Sequence, residues 1–164
     1  MTAAMTRVRT PARGQPAEGG QAAIEFAIVF LLFFAMLWGI LTFGFIFAAQ
    51  NTLTLAAENG ARAALRYQPA TTTAGATAAR IAAAQTVATK SVQWLQAFGP
   101  VSVPTPKAVG CDNGNLLCFK VQVSYPYAQH PLIPPFPGFG LFAPTQLVGK
   151  ATMQVDPGNL LPGG

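Results

Sequence analysis

The sequence predicts an α+β protein in which a long N-terminal transmembrane helix continues into a second helix packed on a small antiparallel β-sheet. Three observations predict it. No residue between Glu25 and Glu58 is charged; apolar residues recur at helical spacing from Ile81 to Leu95; and beyond Gly99-Pro100 the pattern shifts to short runs of period two. Composition agrees. The 164 residues amount to about one modest domain, 51% hydrophobic and only 9% charged, against roughly 25% charged in an ordinary soluble domain. Mean hydropathy is +0.38. Disorder has the opposite signature, and so few charges cannot decorate the surface of an autonomous cytosolic enzyme. Net charge is +5, but the ten basic residues are scattered along the chain without a dense stripe, so no nucleic-acid partner is expected. The partner that composition favours is a lipid bilayer.

The first element is Phe26 to Ala49, an almost continuously apolar run that holds seven of the twelve phenylalanines. A helix needs about 20 such residues to cross a hydrocarbon core of roughly 30 Å. A buried core helix seldom stays apolar on every face for so long. A cleaved secretory signal has a shorter apolar region ending in small residues, whereas Phe47 precedes Ala48-Ala49 here. The run is therefore retained. Arg7, Arg9 and Arg13 precede it, which places the N-terminus in the cytoplasm and the C-terminal part across the membrane, although Arg62 and Arg66 oppose that orientation.

Helical pattern continues through Gln50–Tyr67, with Leu53, Ala56, Ala57, Gly60, Ala61 and Ala64 as a stripe of small residues that lets helices approach closely. Pro69 and the stretch 70–75 interrupt it. A second helix is expected over about 76–98, with Ile81, Ala84, Gln85, Ala88, Val92 and Leu95 on one face, widened by Val87, Trp94 and Phe98. That face is expected to pack on the domain core.

Eleven of the fourteen prolines follow Gly99. Val121, Val123 and Tyr125 alternate with Lys120, Gln122 and Ser124, a strand with one wet face. Leu147, Ala151, Met153 and Val155 alternate with Val148, Lys150, Thr152 and Gln154 in another. A weaker strand near 101–109 is damaged by Pro104 and Pro106, so it should lie at an edge. Cys111 and Cys118 frame a turn. A turn at Asn113-Gly114 would set Cys111 opposite Leu116; one at Gly114-Asn115 would set Cys111 opposite Cys118 directly. The second register is expected, with a disulfide across it and hence an oxidising compartment. Free thiols are the alternative, since two cysteines without a nearby histidine cannot close a zinc shell.

The uncharged stretch 127–144 should cover its own core; otherwise Phe136, Phe139 and Phe142 form a contact patch for a neighbouring subunit or the membrane. His130, the single histidine, reads as a loop residue. Beyond the membrane run the acids are Glu58, Asp112 and Asp156, so no nucleophile–base–orienter set and no phosphate-cradling glycine loop is visible. The expectation is a non-enzyme without cofactor or metal.

The junction Gly19-Gly20-Gln21-Ala22-Ala23-Ile24-Glu25-Phe26 is the remaining feature. A carboxylate at the mouth of an apolar span is expensive, roughly 2.5–3.5 kcal/mol at the bilayer centre and less at its edge. Read alone, Glu25 is either a first-turn acid favoured by the helix dipole or a functional group. A short basic leader, a glycine, four residues and then Glu-Phe opening an apolar helix resembles the class III signal of type IV pilins. More closely, Gln21-Ala22-Ala23-Ile24-Glu25-Phe26-Ala27 is similar to the start of TadE-like proteins, pseudopilins of the Flp/Tad (type IVc) system. Asn51-Thr52 and 56–64 resemble that family too, as do 121–127 and Lys150-Ala151-Thr152-Met153.

The resemblance implies a cut by a prepilin peptidase between Gly20 and Gln21, leaving Glu25 as the fifth mature residue and Phe26 as the sixth. It implies that Glu25 aids subunit incorporation rather than acting as a catalytic acid, and that the new N-terminus can be methylated. Its implied partners are the peptidase, other pilins or pseudopilins and the Tad inner-membrane assembly machinery, at the bacterial inner membrane. The organisation expected is a leader over 1–20, a transmembrane and assembly helix over 21–67, a linker with the second helix over 68–98, and a disulfide-containing β-rich periplasmic region over 99–164. The competing expectation is an unprocessed, single-pass envelope protein whose periplasmic domain binds other proteins.

Overall fold

The computed structural model describes residues 19–112, 114–134 and 143–161. Its elements, in order, are α1 (Gly19–Leu65), α2 (Thr73–Ser91), the short α3 (Gln93–Gln96), β1 (Lys107–Gly110), β2 (Leu117–Tyr125), β3 (Leu147–Val155) and a 3-10 turn at Pro157–Leu160. The architecture is α+β, as the sequence predicts. The chain divides between Leu37 and Trp38 into two compact units. The N-terminal unit contributes the first part of α1; the second holds the core.

In the second unit the small-residue stripe of α1 is core. Ala49, Leu53, Ala56, Ala57, Ala61 and Ala64 are fully buried, spaced so that they share one side of the helix. A Cβ on Gly60 would lie 2.9 Å from the Ala84 carbonyl oxygen of α2. The stripe thus serves packing within the chain. Ala84, Ala88, Val92 and Leu95 answer it from α2 and the residues beyond, all fully buried. Thr72 caps α2, its hydroxyl accepting from the Gly75 N–H at 3.1 Å, so the helix starts ahead of the expected Ala76. Trp94 and Phe98 do not widen the buried face. Their rings pack edge-on at 6.1 Å and both stay about half exposed, because Leu95 alone occupies the inward position of that turn.

The sheet has the order β1-β2-β3, antiparallel throughout. The proline-damaged strand lies at the edge, as expected: β1 forms only after Pro106, and upstream of it Ser102 pairs with Ser124 as an isolated bridge. Phe119, Val121, Val123 and Tyr125 are buried against the helices while Lys120 and Gln122 face outward. β2 ends at Tyr125, and Pro126 follows. Burial raises the Tyr125 phenol above its ordinary range; Tyr127 is raised by burial and then by neighbouring Tyr125. The Tyr125 hydroxyl donates to the His130 carbonyl at 2.7 Å. Leu132 and Ala143 pack on the core from the two ends of the apolar loop; Phe136, Phe139 and Phe142 lie outside the described residues.

The hairpin register differs from expectation. Gly110 pairs with Leu117, and the Cys111 N–H donates to the Leu116 carbonyl at 2.9 Å. This is the register associated with Asn113-Gly114, not Gly114-Asn115. The register follows the β1–β2 pairing that runs from Lys107–Lys120 to Gly110–Leu117, and Gly114 meets it with φ +83°, a conformation that glycine tolerates. The disulfide forms all the same. It joins Cys111 to Cys118 diagonally across the hairpin, with the Cα atoms 5.3 Å apart.

Arg80 is buried, with 2% of its surface exposed. One Nη donates to the Ala64 and Leu65 carbonyls at 2.9 and 3.1 Å, and the other to the Asn159 carbonyl at 3.4 Å. Carbonyls at a helix end lack intrahelical partners and carry the negative end of the helix dipole. A guanidinium with several donors satisfies them and ties α1, α2 and the C-terminal turn together. Hydrogen bonds to charged groups contribute about 1.5–3 kcal/mol each. Arg80→Met keeps bulk but loses these bonds, so urea unfolding of the full chain in uncharged micelles should show a loss of about 3 kcal/mol. Arg80→Lys should fall between the two, and parental stability for Arg80→Met would refute the role.

Candidate functional site

The candidate site is the start of α1. From Gly20 to Phe33 every residue is exposed, including Ile24, Phe26, Ile28, Val29, Phe30, Leu31 and Leu32 at 53–69%. These large apolar side chains have no core of their own. Fully apolar helices are stable in lipid or against neighbouring helices, and α1 is long and apolar enough to cross a membrane. Phe26 stacks on Phe30 with ring centroids 5.8 Å apart, and Phe30 on Phe34 at 6.3 Å, a one-sided phenyl ladder at i, i+4 spacing. Thr42 donates its hydroxyl to the Trp38 carbonyl at 2.8 Å, so this polar group in the apolar run is satisfied inside the helix.

Glu25 lies within this exposed apolar surface. It is not a first-turn acid: α1 begins at Gly19 and its first turn holds no acidic residue. The strongest part of the dipole therefore does not reach it. Among the described residues Glu25 has no ion-pair partner; the pair present is Glu58 with Arg62 at 3.7 Å, an exposed i, i+4 contact. The structure thus brings Gly20, Gln21, Glu25 and Phe26 onto successive turns of one exposed helix end. Cys111 and Cys118 close the hairpin within the second unit. Arg7, Arg9 and Arg13 lie outside the described residues. Among the described residues no three His, Cys, Asp or Glu side chains are grouped to hold a metal ion.

Two clusters escaped the sequence reading. Arg80 is in step with Ala76, Ala84 and Ala88, all buried on α2, so its i, i+4 spacing was the available signal. Lys107, Lys120 and Lys150 come together on the outer sheet face, a juxtaposition set by strand register rather than by proximity in sequence.

One apolar helix, with the Glu25 carboxylate near its start among the described residues, fits a single-pass membrane anchor. Residues 20–62 match the family described as TadE-like protein. No curated protein and no solved structure matches the chain. The matched segment covers the candidate site and the small-residue stripe and stops within α1, so it does not extend to the sheet. Over residues 20–62, α1 is thus similar to that family.

Proposed function

We propose that this chain is a pilin-like structural and assembly component of a Flp/Tad (type IVc) pilus, cut by a prepilin peptidase between Gly20 and Gln21 and assembled through α1. The observation that carries this reading is Glu25: exposed, without an ion-pair partner among the described residues, and flanked by exposed apolar side chains. Cleavage would create an α-ammonium group at Gln21. In an assembly that cation and the Glu25 carboxylate of an adjacent copy neutralise one another where either alone is costly. Such a pair fixes register between helices more than it adds strength. The surrounding apolar side chains contact lipid before assembly and neighbouring helices afterwards.

In this reading the protein is a non-enzymatic subunit of the bacterial inner membrane. Its partners are the peptidase, other pilins or pseudopilins and the Tad inner-membrane machinery. The N-terminus is cytoplasmic, as Arg7, Arg9 and Arg13 favour, and the core unit is extracytoplasmic, where the Cys111–Cys118 disulfide persists.

Coexpression with the cognate prepilin peptidase, followed by intact-mass analysis, tests the proposal. The expected product begins at Gln21, and Gly20→Ala should leave the chain uncut. A chain that still begins at Met1 in the presence of active peptidase would instead support an unprocessed envelope anchor. A Gly20→Ala product beginning at Gln21 would show that the cut does not depend on Gly20 and would refute its role in recognition.

A further inference from the structure

We propose that the outer face of the sheet is a binding site for a compact, multivalent phosphate anion, held between Lys107, Lys120 and Lys150. The site is independent of processing at Gly20. Lys107 of β1 stands directly opposite Lys120 of β2, and Lys150 of β3 stands opposite Gln122, one diagonal step from Lys120. Directly opposed residues have Cβ atoms roughly 4.5–5.5 Å apart, and diagonal neighbours are about 7–8 Å apart. Three ammonium groups from three strands are therefore within reach of one small anion. Of the four lysines in the chain, three are here.

The arrangement works against the fold, because like charges directly opposite across a sheet are destabilising. No carboxylate lines the depression, and none of these lysines is ion-paired among the described residues. An unneutralised cationic cluster of this kind has its complement in a ligand. The surface there is concave, a depression of about 400 Å³ whose lining includes Thr105, Gln122 and Thr152 as hydrogen-bond donors.

The donor set narrows the ligand class. Lysine ammonium groups are compact point charges with rotatable donors, suited to phosphate oxygens; planar bidentate recognition of carboxylate favours arginine, which is absent from this face. No aromatic side chain lines the depression, so a nucleobase has nothing to stack on. Phosphate groups carrying at least two charges between them fit best. They can belong to a soluble polyphosphate or to an anionic phospholipid headgroup.

The test is calorimetry on the full chain in uncharged detergent micelles, with sodium tripolyphosphate as probe at constant ionic strength. Saturable binding is expected, weakened at least about tenfold by Lys120→Gln and abolished by Lys107, Lys120 and Lys150 all changed to Gln. Lys90→Gln, on the exposed surface of α2, should bind as the parent does. Absence of saturable binding, or equal weakening by Lys90→Gln, would overturn the proposal, the latter by showing a net-charge effect. Thermal unfolding without the anion gives a second readout. Lys120→Gln should melt at or above the parent, since it relieves the repulsion from Lys107; a lower melting temperature would make the lysines structural and refute the site. Doping the micelles with cardiolipin, whose headgroup carries two phosphodiester charges, identifies the source. Displacement of tripolyphosphate by that lipid, but not by phosphatidylcholine, supports the site with a headgroup as occupant; no displacement supports it with a soluble phosphate.

Discussion

Glu25→Leu subunits should be processed normally yet be almost excluded from pili assembled alongside parental subunits. The substitution makes α1 more apolar, so membrane insertion is unimpaired or improved. What is lost is the anion that the proposed assembly sets against a neighbour's Gln21 ammonium group. Removing one partner of a buried pair strands the other, at about 3–5 kcal/mol. At about 1.4 kcal/mol per tenfold, that corresponds to two to three orders of magnitude in incorporation. Glu25→Gln retains hydrogen bonding without charge and should restore only part of it, whereas Glu25→Asp should restore more. Differentially tagged subunits, quantified by mass spectrometry in sheared pili, provide the measurement. Equal incorporation of Glu25→Leu and parent would remove Glu25 from the assembly contact, whatever its processing.

The second large effect is expected at Gly149. This residue of β3 packs so closely on α1 that an added Cβ would overlap the Leu53 carbonyl group and lie 2.6 Å from the Thr54 nitrogen. All of these are backbone atoms, so no rotamer change makes room. Gly149→Ala must separate β3 from α1, disturbing the nearby bond from the Gln50 side chain to the Val148 carbonyl, 2.9 Å long. Overpacking of a tight core costs about 1–3 kcal/mol, and with backbone on both sides the upper end applies. Urea unfolding in micelles should register a loss of about 3 kcal/mol for Gly149→Ala. Gly110→Ala, which meets nothing within 4 Å, should stay within about 0.5 kcal/mol of the parent. Equal stability of the two variants would mean that the sheet does not contact α1 at Gly149.

Much of this architecture was readable in the residues themselves. An uncharged apolar run announces a spanning helix, and strict alternation over 147–155 announced β3 to the residue. Pro104 and Pro106 foretold an edge strand because proline withholds a ladder donor. The failures have specific physical causes. Two turn registers were each compatible with Cys111 and Cys118, and both put Gly114 at positive φ, so the choice lay in how β1 pairs with β2, a property of the closed hairpin. Trp94 and Phe98 shared a helical face with buried residues, but a core already filled by Leu95 and Val92 leaves them half outside. The Glu25 environment was visible as far as its apolar neighbours, but its place beyond the first turn depended on where α1 begins. Arg80 and the three lysines were hidden for a different reason. Their partners are carbonyls or one another across strands, and no single stretch of sequence contains both sides of those contacts.

The two outer strands bear on how copies of this protein can join. β1 has four residues, follows Pro104 and Pro106, begins with Lys107, and is pinned to its neighbour through the Cys111–Cys118 disulfide. On β3 the Val148 carbonyl is already taken by Gln50, and Gly149 is pressed against the α1 backbone. Short, proline-broken, charged or covered edges resist pairing with a foreign strand. Subunits crowded in a membrane are thereby steered away from growing a shared sheet, the route that leads to amyloid-like fibres. In the proposed assembly ordered growth is left to the helices, so that a fibre would lengthen by stacking rods instead of by knitting strands.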